Sequence, residues 1–234
     1  MEKRSSNRSS LWDGWNTPPN LVTFSRIILV VVFLGLYIGA GQWGSRNIGM
    51  RWAAAVIFII AASTDKIDGW MARKYHQVTE IGKLMDPIAD KLLTLGTLIV
   101  AACLNEFGIT WLGWGVTALF LIREIGITVM RFSIIDHGGH VIAASQLGKY
   151  KTLTQCLGLG LLLLPVWSFV PAGAHPLWLT VYFFITYTLI YFSLILCLYS
   201  GWQYVSAVLN ASKSRKGAAS HQQDGDAVAP HGGR

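Results

Sequence analysis

The chain has 234 residues, of which 53% are hydrophobic and only 13% charged, with a mean hydropathy of +0.45. A soluble domain carries about a quarter charged residues, so the composition argues against a water-soluble globular protein and for a membrane protein. The formal net charge of +7 then reads as topology signalling and contact with anionic lipid. Nucleic-acid binding is not expected, because no groove-reading motif accompanies the charge.

Residues 1–17 are polar and lack the apolar core of a signal peptide. Leu11, Trp12 and Trp15 predict a short interfacial segment, since indole rings favour the head-group depth. Pro18-Pro19 stops any helix ahead of the first apolar stretch. A helix needs about 20 apolar residues to cross the hydrocarbon core. Six stretches qualify, at about 21–41, 52–75, 83–104, 110–134, 149–170 and 177–206, with no strand alternation and no repeat. The expected fold is all-α, a polytopic membrane domain over 18–206 with six transmembrane helices. Residues 207–234 are polar and Gly/Ala/Ser-rich and predict a disordered tail. Gly158 and Gly160 in the fifth stretch would permit close helix packing. Cys103, Cys156 and Cys197 are isolated in apolar runs and read as small buried hydrophobes.

Lysine and arginine placement sets the orientation. Lys3, Arg4 and Arg8, then Arg73, Lys74 and Lys83, then Arg131, Lys149 and Lys151, then Lys213, Arg215 and Lys216 all fall on one side of a six-span layout. Arg46 and Arg51 are a minor dissent. Both termini are therefore expected in the cytoplasm.

The connection between the second and third stretches, STDKIDGWMARKYHQVTEIGKLMDPIAD, is unusual for its setting. Asp65 and Asp68 are three apart and share a helix face; Asp86 and Asp90 are four apart and share a face of the next helix. Joined by a short turn, the two helices can aim all four carboxylates at one spot on the cytoplasmic side. Uncompensated burial of such a set is costly. Hard divalent cations, Mg²⁺ or Mn²⁺, prefer carboxylate oxygens, and two metals on four aspartates suit phosphoryl chemistry. Gly69 and Ala72 remove bulk beside the aspartates, Arg73 can pair with phosphate, and Gly82 sits at the turn. The plainer reading is a solvated segment whose aspartates pair with Lys66, Lys83 and Lys91; Glu80 is assigned to that reading.

The whole pattern, Asp65-x2-Asp68-Gly69-x2-Ala72-Arg73-x8-Gly82-x3-Asp86-x3-Asp90, resembles the signature of the CDP-alcohol phosphatidyltransferase family. The six-span layout agrees with it. The resemblance implies two metal ions held by Asp65, Asp68, Asp86 and Asp90, with Asp90 also the general base. It implies a CDP site lined by Asp68, Gly69, Ala72 and Arg73, and a donor of the CDP-diacylglycerol type. Asn20 and Thr23 open the first span and are candidates for the same nucleotide site, although helix caps are the commoner role.

The acceptor is read from a second set. Asn20-x2-Thr23-x2-Arg26, Arg123-Glu124 with Arg131, and Gly148-Lys149-x-Lys151-Thr152-x2-Gln155 resemble the bacterial members of that family that use sn-glycerol 3-phosphate and release phosphatidylglycerophosphate and CMP. An anionic acceptor needs cations, and Arg123, Arg131, Lys149 and Lys151 are the candidates; Arg123 stands out because it interrupts an apolar run. Glu124 is read as a partner for an arginine. Inositol phosphate or phosphatidylglycerol as acceptor is the alternative. A divalent-cation transporter is a remote one, because acidic residues cluster at one end of one helix pair instead of along several spans. Family resemblance also implies a homodimer in the bacterial cytoplasmic membrane.

Overall fold

The computed structural model describes the backbone of residues 18–74, 80–136, 146–171, 173–174 and 176–227. It describes their side chains except at 18–20, 22, 65–74, 80–84, 86, 131–136, 146–147, 149 and 209–227. The predicted interfacial segment with Leu11, Trp12 and Trp15 lies outside the described residues. Six α-helices follow in order: α1 (Pro18–Ala40), α2 (Ile48–Lys74), α3 (Glu80–Cys103), α4 (Thr110–Asp136), α5 (Gln146–Leu163) and α6 (Leu177–Ala227). Short 3-10 turns at Gln42–Gly44 and Val166–Phe169 follow α1 and α5, and no strand occurs among the described residues.

Helices are what this composition dictates, because a backbone in an apolar medium must satisfy its own hydrogen bonds. The radial pattern is that of a membrane bundle. Ile28, Val31, Trp111, Ile122, Phe184, Ile195 and Trp202 point outward, while Thr97, Thr117, Thr186 and Ser193 are buried. Three of these hydroxyls bond their own helix, Thr97 to the Leu93 carbonyl, Thr186 to that of Tyr182 and Ser193 to that of Ile190. Among the described residues four helices are long and apolar enough to cross a membrane, with a shorter apolar stretch at Ile48–Thr64. The chain is a helical membrane protein. Where composition predicts disorder from residue 207, α6 stays helical through Ala227. A helix already nucleated by the preceding span extends cheaply through residues without a proline.

α1 packs mainly on α2 and α5 mainly on α6, with α3 between α1 and α4. Val30 and Phe33, Phe58, Leu98, Phe120, and Leu159 with Leu162 bring five helices into one apolar core. Of Gly158 and Gly160 in α5, only Gly158 serves close packing: a Cβ there would stand 2.8 Å from Ile190 Cγ1 of α6 and 3.2 Å from its backbone nitrogen.

One end of the bundle, here the far end, is closed by a buried ion pair. α3 ends in a Schellman turn: the Glu106 N–H bonds the Ala101 carbonyl and the Asn105 N–H that of Ala102, with Asn105 at φ 55°. The turn aims Glu106 inward, where both it and Arg51 are 0% exposed. The guanidinium donates to both carboxylate oxygens, at 2.6 and 2.8 Å. Two further N–H groups go to the Leu163 and Leu162 carbonyls at the end of α5, both at 2.9 Å. Tyr37 Oη (2.7 Å) and the Trp43 N–H (3.0 Å) donate to the carboxylate, and Tyr187 Oη donates to the Glu106 carbonyl at 2.8 Å. Arg51 thus carries no topology information, which removes most of the dissent noted in the charge pattern.

Candidate active site

The opposite, near end holds the acidic segment. α2 continues through Lys74 and α3 begins at Glu80, so Asp65 and Asp68 lie on one helix and Asp86 and Asp90 on its neighbour. The two helices touch. The side chains of Asp65, Asp68, Gly69, Ala72, Arg73, Gly82 and Asp86 lie outside the described residues, as do those of Asn20, Arg131 and Lys149. No cluster of three or more His, Cys, Asp or Glu side chains appears among the described residues; three of the four aspartates fall outside that search.

Asp90 is described, and it stands in the wall of a cavity of about 680 Å³. The polar lining is Arg26 of α1, Ser63 of α2, Asp90 of α3 and Thr152 of α5. The rest is mostly apolar, supplied by α2 from Phe58 to Ala62, by Leu93 of α3, by α5 from Leu153 to Leu161 and by Leu164 just beyond it. Ile59, Leu153 and Leu157 are also 43–52% exposed on the outside of the bundle, so the cavity opens sideways between α2 and α5. A void with a carboxylate and a guanidinium at one end and hydrocarbon along the rest suits an amphiphile with an anionic head. Its size lies within the usual range for small-molecule sites.

Beside this mouth, α4 carries a charged patch. Glu124 Oε1 accepts from Lys151 Nζ of α5 and from Arg123 Nη1, the latter at 3.0 Å. Arg123 also donates from Nε to the Cys197 carbonyl and from Nη2 to Ser200 Oγ, both on α6 and both at 3.0 Å. Gly201 makes room for it, since a Cβ there would lie 3.2 Å from Arg123 Cγ. Lys91, the residue after Asp90, donates to Thr128 Oγ1, and that hydroxyl bonds the Glu124 carbonyl at 2.7 Å. Lys151 is 6% exposed. Two predicted acceptor residues, Arg123 and Lys151, are therefore brought together on one carboxylate. Arg123 has five N–H donors, so two remain beyond the three bonds described.

Thr23 of the predicted nucleotide set is buried one helical turn from Arg26. Arg26 itself was legible only as part of the opening motif, yet it is fully buried in the cavity wall; a cation inside an apolar span was the available signal. Glu124 partners Arg123 as expected and bridges to Lys151 as well, and Lys91, expected beside the aspartates, bonds Thr128; both contacts depend on which face α4 turns to its neighbours. Gln155 is 3% exposed with no partner for its amide nitrogen. Cys156 lines the cavity and Cys103 is exposed, so of the three cysteines only Cys197 is the buried hydrophobe expected.

Comparison with known proteins agrees with this geometry. The family model for CDP-alcohol phosphatidyltransferase matches residues 16–199. A Mycobacterium tuberculosis protein named probable phosphatidylglycerophosphate synthase is 42% identical over 148 residues, 63% of this chain and 66% of that protein. The alignment thus spans just under two thirds of the mycobacterial relative. A Bacillus subtilis protein named CDP-diacylglycerol–glycerol-3-phosphate 3-phosphatidyltransferase is 34% identical over 206 residues, 84% of this chain and 97% of the relative. An Escherichia coli protein of the same name is 34% identical over 146 residues, 62% and 75% of the two chains. The chain belongs to the CDP-alcohol phosphatidyltransferase family.

Proposed function

We propose that this protein transfers a phosphatidyl group from CDP-diacylglycerol to sn-glycerol 3-phosphate, giving phosphatidylglycerophosphate and CMP. The observation that carries the reading is the position of Asp90, the last aspartate of the signature, at the polar mouth of a side-opening apolar cavity. The names of the relatives support the choice of donor and acceptor.

The donor's acyl region fits the apolar cavity and its pyrophosphate the mouth, within reach of the Arg26 guanidinium. Asp65, Asp68, Gly69, Ala72 and Arg73, with Thr23 and Asn20, form the CDP side in this reading. Asp65, Asp68, Asp86 and Asp90 would hold two Mg²⁺ or Mn²⁺ ions; their all-oxygen donor set on two touching helices suits hard cations. Bound there, the ions supply charge neutralisation across the pyrophosphate. Asp90 takes the proton of the acceptor hydroxyl as its oxygen bonds to the lipid-linked phosphorus and the bond to CMP breaks. Lys151 and Arg123, with Arg131 and Lys149, bind the acceptor's phosphate. Lys151 exchanges its Glu124 contact for that dianion, a charge-assisted bond of the stronger kind.

All six helices cross the membrane in this reading, α2 and α3 with their charged ends at the head-group level. The lysine and arginine pattern puts both termini and the Asp90 end in the cytoplasm of a bacterial cell. The working unit is a homodimer, with residues 18–206 as its catalytic domain.

The test is CMP release by purified protein from CDP-diacylglycerol and Mg²⁺, with glycerol 3-phosphate, inositol 1-phosphate and phosphatidylglycerol as competing acceptors. Release with glycerol 3-phosphate alone, abolished by EDTA and restored by Mg²⁺ or Mn²⁺, is expected. Release only with another acceptor would keep the aspartate site and overturn the phosphate role of Arg123 and Lys151.

A further inference from the structure

Two of the three glycines of α5, Gly158 and Gly160, lie two residues apart and have different surroundings. Gly158 is required by packing, as described. Gly160 is not: a Cβ there would meet only the Phe58 ring, at 3.6 and 3.9 Å, which is ordinary van der Waals contact. A glycine inside a helix costs stability relative to alanine, because it gives up more backbone freedom on folding. Nothing in the packing of α5 on α6 calls for that cost at Gly160. What Gly160 does instead is line the cavity, where a missing side chain leaves open space.

The cavity has a direction and an end. Along α5 its wall is Thr152, Cys156, Gly160 and Leu164, spaced by four residues on one helix face. At 1.5 Å per residue this stripe runs about 18 Å, close to one leaflet, roughly half of a ~30 Å hydrocarbon core. The polar mouth is at the Thr152 end and the floor is at Phe58, Leu161 and Leu164. That floor is stiff. Phe58 is 1% exposed and its ring centroid lies 5.4 Å from that of Phe33, which stacks on Tyr37 at 5.9 Å. Tyr37 is tied to Glu106, and Arg51 holds the carbonyls of Leu162 and Leu163. A chain that outgrows the cavity cannot push the floor away and has to leave through the side opening, where it loses the contacts of the wall.

We propose that Gly160, set against the Phe58 ring, determines how long an acyl chain the donor can carry. This rests on the reading of the cavity as the tail site of the lipid donor. Side chains on a helix lean toward its N-terminus, so a larger residue at 160 would project back toward Cys156 and shorten the cavity from its floor.

The experiment compares the full-length chain with Gly160→Ala and Gly160→Leu. It measures kcat/KM for CMP release from short-, medium- and long-chain CDP-diacylglycerols at fixed glycerol 3-phosphate. Gly160→Leu is expected to lower the ratio of long-chain to short-chain kcat/KM by roughly tenfold or more, and Gly160→Ala by about threefold. An unmoved profile, or an equal fall at every length, overturns the proposal. If the leucine variant does not purify, the alanine variant decides, because its added methyl makes only ordinary contact. No release from any donor by the unsubstituted chain would overturn the transferase reading itself. Release with an unmoved profile overturns only the assignment to Gly160.

Discussion

The bundle holds two charged clusters, one at each end, and they are built differently. At the far end one guanidinium meets one carboxylate through two bonds, and a tyrosine hydroxyl, a main-chain N–H and main-chain carbonyl groups take up most of what remains. Both side chains are fully buried. At the near end one carboxylate oxygen serves two cations, and those side chains are 8–15% exposed. A closed, one-to-one pair with four of five guanidinium N–H groups already bonded has little left for a ligand, and it fixes helices. A shared carboxylate beside a cavity mouth leaves N–H capacity that an incoming phosphate can use. Charge inside a membrane is expensive in either place; what distinguishes structure from function is how completely each donor and acceptor is already spoken for.

The contrast can be broken at several points. The largest effect is expected at Asp90: Asp90→Asn should lower CMP release by about 10²–10⁴-fold while the thermal unfolding curve in detergent stays in place. Retained activity would remove Asp90 as the base. Glu106→Gln is the counterpart at the other end. It should destabilise the protein by about 3–5 kcal/mol, read as a lower melting temperature, with kcat per folded molecule unchanged. A kinetic defect in protein of normal stability would erase the distinction between the two clusters. Lys151→Ala should raise KM for glycerol 3-phosphate about ten- to a hundredfold, the size of a lost charged hydrogen bond, and leave KM for the lipid donor alone. A change in the donor's KM instead would move Lys151 to the other substrate. The smallest effect is expected from Gly201→Ala, which crowds Arg123 without removing it. Overpacking of about 1 kcal/mol corresponds to roughly a fivefold rise in the same acceptor KM.

Much of this architecture is legible in the sequence. The stretch expected at 110–134 is α4 (Thr110–Asp136), and the one expected at 83–104 is α3 (Glu80–Cys103); a run of apolar residues bounded by glycine and polar turns leaves little freedom. The aspartate motif is local, so its helix faces follow from spacing alone. The far-end pair was not legible. Arg51 and Glu106 are 55 positions apart, and each looks like an ordinary residue at the edge of a span. Nor could spacing show that Gly160 faces a void while Gly158 faces Ile190, since both glycines sit in the same apolar run and differ only in the direction each presents. Arg123 shows the intermediate case. Its cost inside an apolar helix marked it as functional, but its bonds to Cys197 and Ser200 depend on a helix some 70 residues away.

The far-end pair also has a consequence in time. Arg51 is made 55 residues before Glu106 and 112 before the Leu163 carbonyl that completes its shell. At roughly 5–20 residues per second, the nascent chain carries an unmatched guanidinium for several seconds until the first partner emerges, and longer until α5 is complete. Until then the α2 segment around Arg51 is better matched to water than to hydrocarbon. The order of synthesis thus makes the α5 carbonyls the last of the described hydrogen-bond partners to reach Arg51.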